Sequence, residues 1–164
     1  MKVLFTADLH LGHRAIAKYR PIFDSAQEHD DYILKLISLQ DKRTILYVLG
    51  DFLFDGPHFE TYLRELSVAK CEIRVVPGNH DSKLLYTQTI AKNIKVELPL
   101  FNYKGFWVSH CPIHPHEMRN RNGNIHGHLH SEILPDERYI NVNLDVNDFQ
   151  FVPLADIMAR GGSK

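Results

Sequence analysis

The sequence predicts a layered α/β domain, with either a mixed sheet or two facing sheets, on three observations. Five short apolar, β-branched runs recur along the chain, and each ends in aspartate, asparagine or histidine. Helical spacing fills the gaps between the early runs. In the second half a strand–turn–strand pattern replaces the helices, so the chain starts as alternating β and α and finishes mainly as β. No internal repeat, low-complexity tract or linker divides it, and residues 1–164 read as one domain.

Taken in order, Lys2–Thr6 is a buried-type strand that runs into Asp8 and His10. Ser25-Ala26-Gln27-Glu28 is a capping box, opening a helix with Tyr32, Ile33, Leu36 and Ile37 on one face. Thr44–Leu49 is a second strand, ending in Gly50-Asp51. Phe59, Tyr62, Leu63 and Leu66 repeat the helical spacing after Pro57, which suits a first turn. Glu72–Val76 runs into Pro77-Gly78-Asn79-His80-Asp81, where Asp81 can orient His80 or cap a third helix through Leu84 and Leu85. Leu100–Tyr103, Lys104-Gly105 and Phe106–Ser109 form strand, tight turn and strand, the last reaching His110. Asn124–His126 runs into Gly127-His128-Leu129-His130. Tyr139–Leu144 is a further strand, followed by the polar cluster Asn143, Asp145, Asn147 and Asp148, a turn or a brace for neighbouring side chains. Leu154–Arg160 is a short terminal helix.

Composition removes several classes. Of 164 residues 44% are hydrophobic and 24% charged, as in ordinary globular proteins. Lys+Arg 19 against Asp+Glu 20 gives a net charge of -1, which argues against coating long nucleic acid or an anionic membrane. No run approaches the ~20 apolar residues of a membrane helix. Asp8 comes too early for the apolar core of a signal peptide. Two cysteines, Cys71 and Cys111, make no disulfide scaffold and fit a reducing cytoplasm, with Cys111 read as a small buried residue. The unusual count is 11 histidines, the residue of metal and proton chemistry near neutral pH.

Singly, each strand-end element is weak: Gly50-Asp51 is a common turn pair and Asn79 suits a turn. Jointly they are specific. In α/β sheets ligands gather outside the carboxyl ends of strands, so five ligand-bearing strand ends converge on one rim. In a loop, both His128 and His130 can reach neighbouring metals.

The ordered set Asp8-Leu9-His10, Gly50-Asp51, Gly78-Asn79-His80-Asp81, His110 and Gly127-His128-Leu129-His130 resembles the calcineurin-like metallophosphoesterase family, over residues 8 to 130. The resemblance implies a four-layer α/β/β/α sandwich and a dinuclear metal site. Asp8, His10, Asp51 and His130 would hold one metal. Asp51, Asn79, His110 and His128 would hold the other, with Asp51 bridging. Mixed imidazole, carboxylate and amide donors suit transition metals, manganese first, with iron, zinc, nickel or cobalt as alternatives, over Mg²⁺ or Ca²⁺. The implied reaction is hydrolysis of a phosphate mono- or diester by a metal-bridging hydroxide, with His80 protonating the leaving alcohol or stabilising transition-state charge.

Departures from relatives bear on the substrate. Protein Ser/Thr phosphatases of the family carry an acidic residue three positions after the bridging aspartate, where this chain has Phe54, with Asp55 one later. The gap from His80 to His110 leaves no room for a cap domain. Arg119 and Arg121, in the segment from Cys111 through Gly127, are candidates to grip a phosphate or second anionic group. His13, leading the next helix, is a candidate substrate contact. His29 and His58 remain as surface residues. A small, nucleotide-like phosphate ester is the expected partner; long nucleic acid and membrane are not. The alternatives are a non-catalytic scaffold on the same fold, or a nuclease.

Overall fold

The computed structural model describes residues 1–81 and 91–161, and builds them into two sheets flanked by helices. The first sheet holds β1 (Lys2–Thr6), β2 (Thr44–Leu49), β3 (Glu72–Val76), β4 (Ile94–Val96) and β9 (Val152–Pro153), in the order β4-β3-β2-β1-β9. β1 to β4 run parallel and β9 antiparallel. The second sheet holds β5 (Leu100–Tyr103), β6 (Phe106–Ser109), β7 (Gly123–His126) and β8 (Tyr139–Asn141) in that order; β5 pairs antiparallel and the others parallel.

The parallel centre explains the uninterrupted apolar runs, because strands covered on both faces need no polar alternation. After the single turn α1 (Ile16–Tyr19) come α2 (Ala26–Ser38) and α3 (Phe59–Ser67), which close a core on Leu46 and Val48 of β2 through Ile33, Ile37, Tyr62 and Leu66. Ile45, Tyr47 and Leu49 face the other way, into an inter-sheet core with Phe5, Phe106, Val108, Ile125 and Ile140. Tyr47 stacks on Phe5 with ring centroids 4.9 Å apart. The helix α5 (Leu154–Gly161) adds Ile157 to that core. Over the second sheet lies a single turn, α4 (Pro115–Met118), where the Trp107 indole donates to the Glu117 carbonyl at 3.1 Å. Among the described residues, no helix is long and apolar enough to cross a membrane.

Local signals translate closely. Lys104 and Gly105 both take positive φ, 52° and 87°, as a two-residue hairpin of the favoured twist requires. The Ser25 hydroxyl accepts from the Glu28 N–H at 3.1 Å, but the Glu28 carboxylate reaches one residue further back, to the Asp24 N–H at 2.7 Å. Pro57 stands just outside α3, with His58 between them. The final strand is shorter than expected: after Asn141 the chain pairs once more, Ala7 with Asn143, and then turns into a 3₁₀ helix at Leu144–Val146. The expected helix from Asp81 through Leu85 lies outside the described residues. Two burial expectations fail. Cys111 is exposed, and His29, expected on the surface, is 0% exposed. Helical spacing alone marked the apolar stripe of α2 and missed that the same stripe buries His29 and Asp30.

Candidate metal centre

The parallel pairings bring the carboxyl ends of β1, β2, β3, β6, β7 and β8 to one rim. The loops after β1 and β2 continue the ladder, with Asp8 N–H on the Gly50 carbonyl at 3.0 Å and His10 N–H on the Asp51 carbonyl at 2.8 Å. Side chains turn inward through left-handed backbone at Asp8, His10, Asp51, His128 and His130, with φ between 49° and 70°. Such conformations cost non-glycine residues about 1–2 kcal/mol each and persist where the surroundings enforce them. The loops meet almost without clearance: a Cβ on Gly127 would run into Ala7 and the Asp8 carboxylate, and one on Gly50 into the His110 ring.

The inward groups form two donor sets that share Asp51. In the first, His10 Nε2 lies 3.4 Å from His130 Nε2, 3.9 Å from Asp8 Oδ1 and 3.8 Å from Asp51 Oδ2. His130 Nε2 is also 3.9 Å from Asp8 Oδ1. In the second, His110 Nε2 lies 2.8 Å from Asn79 Oδ1, 3.2 Å from His128 Nδ1 and 3.6 Å from Asp51 Oδ1.

The bonding of these groups fits cations. Asp8 is 0% exposed; its Oδ2 accepts from the His128 N–H at 2.8 Å and the Asn143 amide at 2.7 Å. Its Oδ1 is buried with no hydrogen-bond partner and faces His10 and His130. An orphaned carboxylate oxygen beside two imidazole nitrogens is a cation position. His110 Nδ1 donates to the Leu49 carbonyl at 2.8 Å, which leaves Nε2 as an acceptor facing the Asn79 carbonyl oxygen. Acceptors crowded together in this way call for positive charge between them. The groups Asp8–His10–His130, Asp8–Asp51–His110 and His110–Cys111–His128 each bring donor atoms close enough to hold a metal ion.

Burial pushes the Asp8 carboxyl up to about 6, against the pull of His110 and the His128 N–H. Burial, aided by Arg20, pushes His10 down to about 2, and burial lowers His128 as well. His10 is thus held as the neutral imidazole that binds metals. His130 is raised, chiefly by its hydrogen bond to Asp145.

Beneath this rim lies a polar network of which the sequence pattern showed only one part. Arg20, 2% exposed, grips Asp145 with two hydrogen bonds of 2.9 and 3.0 Å and donates to the Asp8 carbonyl at 2.7 Å. It also donates at 2.8 Å to His29 Nε2, while His29 Nδ1 donates to Asp30 at 2.8 Å. Asp30 in turn accepts the Gly12 N–H at 3.0 Å, and Asp145 accepts from His130 Nδ1 at 3.2 Å. The network fixes the loop that carries Asp8 and His10 from below, and His130 from the side. The one hint in the sequence was the polar cluster at Asn143 and Asp145, which here is both a turn and a brace. Asp81 also binds loops together, accepting from the N–H groups of Phe52 at 2.6 Å, Leu53 at 3.2 Å and Gly78 at 2.8 Å.

His80 is exposed at the rim, its backbone N–H on Asp51 Oδ1 at 2.9 Å and its ring 6.0 Å from that of His10. Phe54 stacks on it, with centroids 5.6 Å apart and an interplanar angle of 17°. A cavity of about 500 Å³ opens beside His10, His80 and His130, and His13 lines it. Arg119 and Arg121 are not brought to the centre. β6 and β7 are parallel, so their connection must return to the amino end of β7, where the Asn122 N–H bonds the Gly105 carbonyl. Arg119 is exposed beside Glu117, and Arg121 lies over the Trp107 ring. The cavity wall comes instead from the segment after His10 and from Phe54.

The comparisons with known proteins agree with this architecture. The chain is 26% identical to the Gene 66 protein of Mycobacterium phage L5, covering 86% of this chain and 85% of that protein. It is 27% identical to the uncharacterized protein MJ1445 of Methanocaldococcus jannaschii, covering 94% and 86%. The crystal structure of the protein of unknown function AQ665 from Aquifex aeolicus shares the fold, with a TM-score of 0.72 at 24% identity, over 96% of this chain and 98% of that one. The family profile described as calcineurin-like phosphoesterase matches residues 1–162, and the chain belongs to that family.

Proposed function

We propose that this protein is a dinuclear, metal-dependent hydrolase of small phosphate mono- or diesters, acting in the cytoplasm. The observation that carries the reading is the division of Asp51 between two donor sets, one oxygen toward each. Asp8, His10, Asp51 and His130 hold one divalent transition metal, and Asp51, Asn79, His110 and His128 the other, manganese before iron, zinc, nickel or cobalt. When bound, the pair lowers the pKa of water and neutralises charge on the phosphoryl oxygens.

The chain's own groups do the rest. The strand-end loops hold the seven donors in place before substrate arrives, five of them through left-handed backbone, so little reorganisation is needed at the moment of reaction. His80 is exposed at the mouth, where its ring can give a proton to the leaving oxygen or a hydrogen bond to the phosphoryl group. The bond from its backbone to Asp51 and the stack with Phe54 orient it. His13, on the cavity wall, contacts the substrate. The net charge of -1 includes Asp8 and Asp51, so two divalent ions turn this rim positive without a basic surface.

Metal analysis, followed by Mn²⁺-stimulated hydrolysis of p-nitrophenyl phosphate, its bis ester, cyclic nucleotides and single-stranded DNA, tests the reading. Absence of metal and of hydrolysis on every ester refutes it. His80→Ala should keep both metals and lose about 10²- to 10⁴-fold in turnover; near wild-type turnover overturns the role of His80.

A further inference from the structure

The cavity beside the donor cluster has a wall of rings that extends beyond what the hydrolytic step requires. Tyr19 is 74% exposed at its rim. Tyr19 meets His13 edge-on at 5.9 Å between centroids, His13 meets Phe54 edge-on at 4.6 Å, and Phe54 stacks on His80 at 5.6 Å. A continuous line of aromatic rings therefore runs from the exterior to His80. Its volume of about 500 Å³ is that of a small-ligand site.

The charges along this wall argue against a second phosphate. Arg20 lines the cavity, but its guanidinium is committed to Asp145 through two hydrogen bonds. The Asp145 carboxylate also lines it and repels an anion. Arg119 and Arg121 lie elsewhere. What the wall offers is π-face, ring edge and the apolar side chain of Ile16.

We infer that the substrate carries a planar aromatic ring of the nucleobase type, which docks on the Tyr19–His13–Phe54 wall while its phosphate lies at the donor cluster. This rests on the phosphoesterase reading for the position of the phosphate. Aromatic rings recognise bases by stacking, independently of sequence, and loss of one such partner weakens binding by about 5- to 100-fold.

Calorimetry in Mn²⁺ buffer tests it with the hydrolysis-resistant methylenephosphonate analogues of AMP and of ribose 5-phosphate, which differ by the base alone. The wild-type protein should bind the AMP analogue about tenfold or more tighter. That ratio should fall toward one in Tyr19→Ala, persist in Tyr19→Phe, and fall in Phe54→Leu. Equal affinity for the two analogues in the wild type, or a ratio that survives both Tyr19→Ala and Phe54→Leu, overturns the aromatic wall and leaves the hydrolase reading standing. A protein that binds neither analogue and hydrolyses no ester loses both.

Discussion

Replacing Arg20 by methionine should remove the keystone of the network under the metal centre while keeping an apolar stem of similar length. Arg20 is 2% exposed and makes bonds to Asp145, the Asp8 carbonyl and His29. The Asp145 carboxyl measures part of its value. Burial pushes that group up, yet its bonds to His130 and Arg20 outweigh burial and hold it at about 2 instead of 3.8. That difference corresponds to about 2 kcal/mol of preference for the ionised form, shared between His130 and Arg20. The variant also leaves the Asp8 carbonyl and His29 Nε2 without their donor, at about 1 kcal/mol or more each. A loss of about 3–5 kcal/mol follows, as for other buried pairs broken on one side. Urea unfolding at pH 7.5 in the presence of a chelator reads it directly. Metal competition against a fluorescent chelator should show affinity down by about 10- to 100-fold, because Asp8 and His130 lose their support. A stability loss below about 1 kcal/mol together with unchanged metal affinity would refute the reasoning.

Three further outcomes follow from the same geometry. Asp145→Asn should cost about 2 kcal/mol at pH 7; because the folded carboxyl is depressed, this stability is present above pH 3.8 and lost as pH falls toward 2, so urea midpoints of the two proteins should converge between pH 4 and 2. Gly127→Ala drives a methyl group into Ala7 and the Asp8 carboxylate, and should cost about 1–3 kcal/mol and lower the metal content found by elemental analysis. Arg119→Ala and Arg121→Ala should leave kcat/KM within about twofold of wild type, since neither side chain reaches the donor cluster; a tenfold loss in either would bring the segment back into the site.

The strand ends were legible because a parallel sheet writes itself locally. A buried β-branched run followed by Gly50-Asp51 or Gly78-Asn79-His80 needs only its own residues to be read. The same holds for the Lys104-Gly105 turn, whose two left-handed residues are a local demand. Strand ends of this kind are expected to share a rim, and the resemblance to the phosphoesterase family singled out Asp8, His10, Asp51, Asn79, His110, His128 and His130 on it.

The underside of the site could not be read in this way. Arg20 and Asp145 are 125 positions apart, and Asp8 and Asn143 are 135 apart. No periodicity links residues at such separations; only the approach of the loops after β1 and β8 makes them neighbours. His29 shows the same limit, since helical spacing places it on a face but does not say that a buried guanidinium waits there. Nor does spacing reveal that the chain must return to the amino end of β7, which carries Arg119 and Arg121 away from the metals and leaves Tyr19, His13 and Phe54 as the cavity wall. The sequence by itself determined which atoms stand at the strand ends, because strand identity and chain order are local. The tertiary structure alone decided what holds those atoms and what they face, because both depend on which loops come into contact.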